Sequence, residues 1–156
     1  MTKELVEGDP APDFELMTDG GGRAHLDDFK GKPVVIYFYP KDDTSGCTAE
    51  AIAFNGLRAK FAAAGVTVIG VSPDSAASHA KFKVKHDLKI ALAADPERST
   101  IEAYGVWKEK SMYGRRYFGV ERSTFLIGRD GRIAKVWRKV KVPGHADEVL
   151  AAAKGL

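Results

Sequence analysis

The stretch that most constrains the fold is an uninterrupted apolar run, Val34–Phe38, which is followed by a polar turn and by the only cysteine of the chain, Cys47. A continuous run of β-branched and aromatic residues predicts a strand that is buried on both faces of a largely parallel sheet. Beyond the cysteine, apolar residues recur at steps of three and four, which predicts a helix from Cys47 to about Ala64 that stops at Gly65. We therefore expect a strand, a turn and a helix, with a sulfur at their junction.

Cys47 falls at or near the first turn of the predicted helix. Unpaired backbone N–H groups and the positive end of the helix dipole favour a thiolate over a thiol at this position. The turn also places a hydroxyl, that of Thr44, three residues before the sulfur. A lone cysteine can instead be a small buried hydrophobe, but such a residue would more naturally lie inside the apolar strand. The position indicates a reactive sulfur.

The rest of the chain alternates strands with helices and then changes character. A strand is predicted at about 14–17, and Gly20–Gly22 favours a turn over a phosphate cradle because no P-loop context follows. Alternation of strands and helices predicts a parallel βαβ arrangement. Strands are predicted at 66–71 and 91–94, helices at about 75–86, 99–104 and 146–153, and a hairpin from strands 123–127 and 133–140. We expect an α/β, thioredoxin-like fold: a mixed central β-sheet flanked by helices, with a C-terminal β-hairpin and helix.

Length and composition limit the kind of protein this can be. A chain of 156 residues with 44% apolar and 29% charged residues is expected to form a single domain, residues 1–156. It has neither an apolar run of about 20 residues nor the apolar core of a signal peptide, so no membrane association is expected. One cysteine excludes an internal disulfide and fits a reducing compartment, so we expect a cytoplasmic protein.

The charge is unevenly spread. Residues 107–141 contain eleven Lys and Arg against three acids, a net +8, while the whole chain carries +3. Such a basic half can attract nucleic acid. Most of these charges alternate with apolar residues, however, as they do along a sheet with one solvated face, and no recognised nucleic-acid motif accompanies them. We expect no nucleic-acid partner and keep binding through the basic half as the weaker alternative.

Two other kinds of site are not supported. Dithiol exchange within one chain needs a Cys-x-x-Cys pair, which a single cysteine cannot supply. Four scattered histidines (25, 79, 86 and 145) lack the spacing of metal ligands, so neither a metal site nor a Cys–His catalytic pair nor any cofactor is expected.

Three segments are recognisable: VVIYFYPKDDTSGCT, VIGVSPDS and YGVWKEKSMYGRRYFGVERSTFLIGRDGRIAKVWRKVKVPGHADEVL. They resemble the Q-type peroxiredoxins, also called bacterioferritin comigratory proteins, and the similarity runs from about Gly8 to the C-terminus. The Pro-x-x-x-Thr/Ser-x-x-Cys pattern of that family is met by Pro40, Thr44 and Cys47. The later active-site arginine of the family corresponds to Arg122.

The resemblance implies thiol-dependent reduction of peroxides. It implies that the Cys47 thiolate attacks a peroxide oxygen to give a sulfenic acid, that the Thr44 hydroxyl fixes the line of attack, and that Pro40 shields the sulfur. Arg122 would hold the thiolate and polarise the peroxide. Without the resemblance, Thr44 would be only a helix cap and Arg122 only a solvent-facing strand charge. Glu50 disfavours a thiolate nearby unless it is paired, and whether it orients an arginine stays open.

The chain departs from its family where a second cysteine often stands. Ile52 and the segment Phe82–Val84 occupy those positions, so we expect a one-cysteine mechanism and a sulfenic acid that is open to over-oxidation. The reductant would be an external thiol: glutathione, a glutaredoxin or a thioredoxin. Ser45 replaces a frequent proline, which predicts a less rigid turn. We expect a monomer, with a peroxide-responsive sensor that turns over poorly as the alternative.

Overall fold

A seven-stranded mixed sheet forms the centre of the computed structural model, which describes residues 4–156. Along the chain the strands are β1 (Glu15–Thr18), β2 (Arg23–His25), β3 (Val34–Phe38), β4 (Thr67–Ser72), β5 (Ala91–Ala94), β6 (Trp107–Met112), β7 (Arg115–Val120), β8 (Ser123–Ile127) and β9 (Ile133–Trp137). The strand order in the sheet is β2-β1-β5-β4-β3-β8-β9, and β6 and β7 form a separate two-stranded sheet.

Five α-helices accompany the strands: α1 (Ser45–Gly56), α2 (Arg58–Ala63), α3 (Ala76–His86), α4 (Ser99–Ala103) and α5 (His145–Lys154). A 3-10 turn over Leu26–Phe29 follows β2. Across residues 4–156, none of the helices has both the length and the apolar character needed to cross a bilayer.

The predicted apolar strand, β3, lies at the centre of the sheet and is buried along its whole length. It pairs in parallel with β4 and antiparallel with β8. Because side chains alternate across a strand, Val35 and Tyr37 face a core closed by α1, α2, α3 and α5. Ile36 and Phe38 face a second core closed by α4 and by the base of the β6–β7 hairpin. The sheet is thus covered on both faces, and the expected α/β, thioredoxin-like class is confirmed.

The predicted long helix after Cys47 is divided in two. The chain leaves helical geometry at Leu57, whose φ is −99° and ψ is 3°, and whose N–H donates to Phe54 O, three residues back, at 3.1 Å. Asn55 and Gly56 precede the break, and both residue types are poor helix formers. Tertiary packing keeps the apolar periodicity on one face, so Phe54 and Phe61 still contact the same core.

The basic half of the chain contains a hairpin that is not among the elements predicted from the sequence. Strands β6 and β7 are joined by Tyr113 and Gly114, whose φ angles of 52° and 77° are those of a tight type I′ connection. The predicted hairpin further on is confirmed as β8–β9. Its second strand stops at Trp137 rather than at residue 140, just before Lys139 takes a left-handed conformation, with φ 48°.

Candidate active site

Cys47 is the third residue of α1, and its side chain is only 1% exposed. The helix begins at Ser45 because Thr44 takes the extended conformation of an N-cap residue, with φ −86° and ψ 155°. The predicted placement of the sulfur in the first helical turn is therefore confirmed. The first turn of a helix carries backbone N–H groups that have no partner within the helix, so negative charge on a sulfur at this position is favoured.

Arg122 reaches the sulfur from the neighbouring strand of the sheet. It directly precedes β8, whose first residue, Ser123, pairs with Phe38 at the end of β3, where the loop to α1 begins. Arg122 Nη2 lies 3.4 Å from Cys47 Sγ. The antiparallel β3–β8 pairing thus brings together two residues that are 75 positions apart in the chain.

Gly46 makes room for this guanidinium. A Cβ atom built on Gly46 would lie 3.1 Å from Arg122 Nη2, which is closer than side chains ordinarily pack. The absence of a side chain at Gly46 thus allows the arginine to lie against the first turn of α1.

Glu50 holds the other nitrogen of the same arginine. Arg122 Nη1 donates to Glu50 Oε1 at 2.7 Å, and the Glu50 side chain is 1% exposed. Burial raises the pKa of Glu50 to about 7, although the neighbouring Arg122 acts in the opposite direction. The second carboxyl oxygen, Oε2, is buried and has no hydrogen-bond partner among the residues that the structure describes. The structure therefore gives Glu50 the arginine contact that the sequence left open.

Thr44 and Pro40 lie in the loop that leads from β3 to α1. Thr44 is exposed, and its hydroxyl donates to Lys41 O at 2.9 Å rather than capping α1. Because its proton is engaged in this way, the hydroxyl oxygen can still accept a hydrogen bond. Pro40 is half-buried at the start of the loop. Of the four residues singled out from the sequence, the structure brings Cys47 and Arg122 into direct contact and leaves Thr44 one turn before the sulfur.

Beneath this loop lies a buried polar network that the sequence patterns do not predict. Asp42 accepts hydrogen bonds from the Tyr39 hydroxyl at 2.6 Å and from the Ser78 hydroxyl at 2.8 Å, and its Oδ2 lies 2.7 Å from His79 Nδ1. His79 Nε2 lies 3.0 Å from Ala93 O in β5. The loop is therefore fixed both to α3 and to the sheet.

Electrostatics favour an ionised Asp42 in this network. Burial acts to raise the pKa of Asp42, but the hydrogen bonds from His79 and Tyr39 outweigh it, and the pKa lies below its ordinary value. His79 lies three residues before Phe82, on the inner face of α3. This spacing is the signal in the sequence that indicates a buried histidine. Asp42, Asp74 and His79 offer ligand atoms within 4.8 Å of one another, but hydrogen bonds already engage all three side chains.

Comparisons with known proteins agree with this arrangement. Residues 7–136 match the AhpC/TSA family. The peroxiredoxin Bcp of Bacillus subtilis is 50% identical over 156 residues, which are 100% of this chain and 98% of the relative. Among solved structures, a PrxQ mutant from Xylella fastidiosa is 41% identical, with a TM-score of 0.93 over 98% of each chain.

A second solved structure is that of the bacterioferritin comigratory protein of Xanthomonas campestris, from a study of the alkyl peroxide reduction activity of that protein. It is 44% identical to this chain, with a TM-score of 0.90, and covers 96% of this chain and 98% of its own. On the family match, the identity to relatives and the shared fold, the chain belongs to the AhpC/TSA family and is a peroxiredoxin of the Bcp or Q type, a thiol-dependent peroxidase.

Proposed function

We propose that this peroxiredoxin reduces hydrogen peroxide and organic hydroperoxides through a sulfenic acid on Cys47, and that an external thiol then resolves the sulfenic acid. The observation that carries the proposal is the 3.4 Å contact between Arg122 Nη2 and Cys47 Sγ at the start of α1. A guanidinium keeps its charge at any working pH, so it stabilises the thiolate before the reaction and the departing oxygen during it.

In the first step the Cys47 thiolate attacks the terminal oxygen of the hydroperoxide. The S–O bond forms as the O–O bond breaks, and the departing alkoxide or hydroxide takes a proton from water. The oxygen of Thr44, whose own proton is donated to Lys41 O, accepts a hydrogen bond from the peroxide O–H and aligns it. Pro40 restricts water around the loop without offering a competing N–H donor.

The second step needs a thiol from outside the chain, because Cys47 is its only cysteine. A thiolate attacks the sulfenic sulfur, a disulfide to Cys47 forms and water is released. A second thiol then reduces that disulfide and returns the Cys47 thiolate. Glutathione, a glutaredoxin and a thioredoxin are the three reductants that the proposal allows.

Organic hydroperoxides are included as substrates because of the relative from Xanthomonas campestris, whose structures concern alkyl peroxide reduction. We propose further that the chain acts as a single-domain monomer in the cytoplasm. A lone cysteine that must be kept reduced supports that compartment.

A peroxide sensor is the second candidate function. The specific observation in its favour is that Cys47 is 1% exposed and is the only cysteine, which would slow recycling after one oxidation. A multiple-turnover assay separates the two functions: peroxide consumption is followed with a limiting amount of protein and an excess of dithiothreitol, glutathione or thioredoxin with its reductase. Many turnovers that disappear in Cys47→Ser support the peroxidase. A single oxidation per chain with every thiol supports the sensor.

A further inference from the structure

The β6–β7 hairpin exposes an unusual set of side chains for a surface. Met112 is 56% exposed, Tyr113 98%, Tyr117 42% and Phe118 60%. Within the described part of the chain, the two strands hydrogen-bond only to each other, and an isolated hairpin is at best marginally stable. Tyrosine, phenylalanine, methionine and arginine are the residue types that are enriched in the centres of protein interfaces. The hairpin therefore has the composition of a contact surface.

The hairpin leads directly into an active-site residue. Strand β7 ends at Val120, and Arg122, which contacts Cys47, follows two residues later. The base is fixed because Val120 and Trp107 pack against the core and Glu121 N donates to Val106 O at 2.8 Å. A partner that binds the hairpin is thus held next to Cys47.

The two faces of the hairpin differ in charge. Directly paired residues of antiparallel strands lie on one face, so the pairs Lys108–Gly119, Lys110–Tyr117 and Met112–Arg115 form one face, which we call the cationic face. It has three cations and no acid, and none of the three forms an ion pair within residues 4–156. On the opposite face, Arg116 Nε lies 3.6 Å from Glu109 Oε1.

One cation of the cationic face, Lys110, lies close to the active site. The Lys110 side chain runs alongside Gly119, so that its Cδ lies 3.6 Å from the position of a Cβ there. Burial lowers the pKa of Lys110 and the charge of Arg122 lowers it further, while Cys47 acts in the opposite direction. The Lys110 ammonium therefore lies within electrostatic range of both active-site groups.

From this geometry we infer that the cationic face is the docking surface for a protein reductant that carries an acidic surface around its reactive thiol. The inference rests on the proposed function and names the partner of its second step. On this face the exposed side chains of Met112 and Tyr117 lie beside the three cations, and this combination fits a complementary acidic protein surface, which gives orientation and fast association. The thiolate of the reductant attacks the sulfenic sulfur of Cys47, the S–S bond forms and hydroxide leaves as water. A second thiol of the reductant then releases Cys47 and closes the disulfide of the reductant.

The test compares two charge reversals on opposite faces of one hairpin. Arg115→Glu combined with Tyr117→Ser alters the cationic face, and Arg116→Glu alters the other face by the same charge. Turnover is measured with thioredoxin recycled by its reductase, with glutathione and with dithiothreitol, at low and high salt. We expect the double variant to raise KM for thioredoxin by about tenfold and to flatten its salt dependence. Dithiothreitol turnover in the double variant and thioredoxin turnover in Arg116→Glu should stay within about twofold of wild type.

Several outcomes would overturn the inference while leaving the peroxidase intact. One is an equal loss of turnover with thioredoxin in the two hairpin variants, and another is no loss of that turnover in either variant. A loss with glutathione but not with thioredoxin would assign the face to a small anionic thiol. Dimerisation of the wild type in light scattering that Tyr117→Ser abolishes would assign it to a second copy of this chain. Absence of turnover with dithiothreitol in the wild type would instead refute the proposed function itself.

Discussion

Cys47 and Glu50 are held by the two ends of one guanidinium: Arg122 Nη2 lies 3.4 Å from the sulfur and Nη1 lies 2.7 Å from the carboxylate. The two side chains are three residues apart on α1, so they project from the same side of the helix. The Glu50 carboxylate fixes the orientation of the arginine. It also partly neutralises the positive charge that would otherwise act on the sulfur. Because burial raises the pKa of Glu50 to about 7, we expect the balance between these effects to change with pH near neutrality.

Replacing Arg122 by Met should slow the oxidation of Cys47 far more than it affects folding. The change removes the charge that stabilises the thiolate and the departing oxygen, and loss of one such donor costs about 10²- to 10³-fold in rate. Stopped-flow fluorescence of the reduced protein mixed with peroxide measures the rate, with Arg116→Met as an exposed arginine control. Because Arg122→Met also leaves Glu50 buried without its partner, Arg122→Met combined with Glu50→Gln should recover stability but not rate. Equal rates in Arg122→Met and wild type would refute the role.

Glu50→Gln should change how stability depends on pH. The pKa of Glu50 is raised to about 7 in the folded protein from an ordinary value of 4.5, so the folded state binds this proton more tightly than the unfolded state. The free energy of unfolding of wild type should therefore fall, relative to the variant, as the pH rises from about 4.5 to 7, by at most about 1.4 kcal/mol per pH unit. Urea denaturation across this range measures the difference, and Glu102→Gln controls for loss of an exposed carboxyl. A difference that is constant with pH contradicts the assignment.

Asp42→Asn should destabilise the protein by about 3 kcal/mol, because it removes the buried carboxylate that accepts hydrogen bonds from the Tyr39 and Ser78 hydroxyls and leaves His79 Nδ1 without its partner. Ser78→Ala removes a single hydrogen bond to Asp42 and should cost only about 1 kcal/mol. The pKa of Asp42 is lowered, so its contribution is complete above the ordinary value of 3.8 and is lost as the pH falls through the folded-state value. The difference in the free energy of unfolding between wild type and Asp42→Asn, measured by urea denaturation, should accordingly become smaller in acid. A difference in the free energy of unfolding that becomes larger in acid would contradict the lowered pKa of Asp42.

Gly46→Ala should separate activity from stability. The added Cβ would lie 3.1 Å from Arg122 Nη2 and displace the guanidinium, which should slow peroxide oxidation by about tenfold. Stability should not fall, because alanine replaces glycine within a helix, at a position where φ is not positive. Gly56→Ala is the matched control on the same helix, since nothing lies within 4 Å of a Cβ there. An unchanged oxidation rate in Gly46→Ala would show that the arginine can retreat without loss.

Much of the fold follows from local patterns. The continuous apolar run at Val34–Phe38 required a strand covered on both faces, and β3 is such a strand. Ser75 was expected to begin a helix, and its Oγ accepts a hydrogen bond from Ser78 N at 3.1 Å. The local patterns do not predict the break at Leu57 or the β6–β7 hairpin. Asn55 and Gly56 are only weak local signals for the break, and the hairpin is fixed at its base, where Trp107 and Val120 pack against the core.

The sequence by itself determined that a single sulfur would stand at the start of a helix, because strand, turn and helix signals are local and adjacent along the chain. Only the tertiary structure decided what surrounds that sulfur. Arg122 is 75 positions away from Cys47, and Asp42 and His79 are 37 apart. Strand pairing and helix packing bring these partners together, and no periodicity along the chain encodes a contact between them. The sequence therefore indicates the reactive sulfur. How Arg122 is shared between Cys47 and Glu50 depends on the tertiary fold.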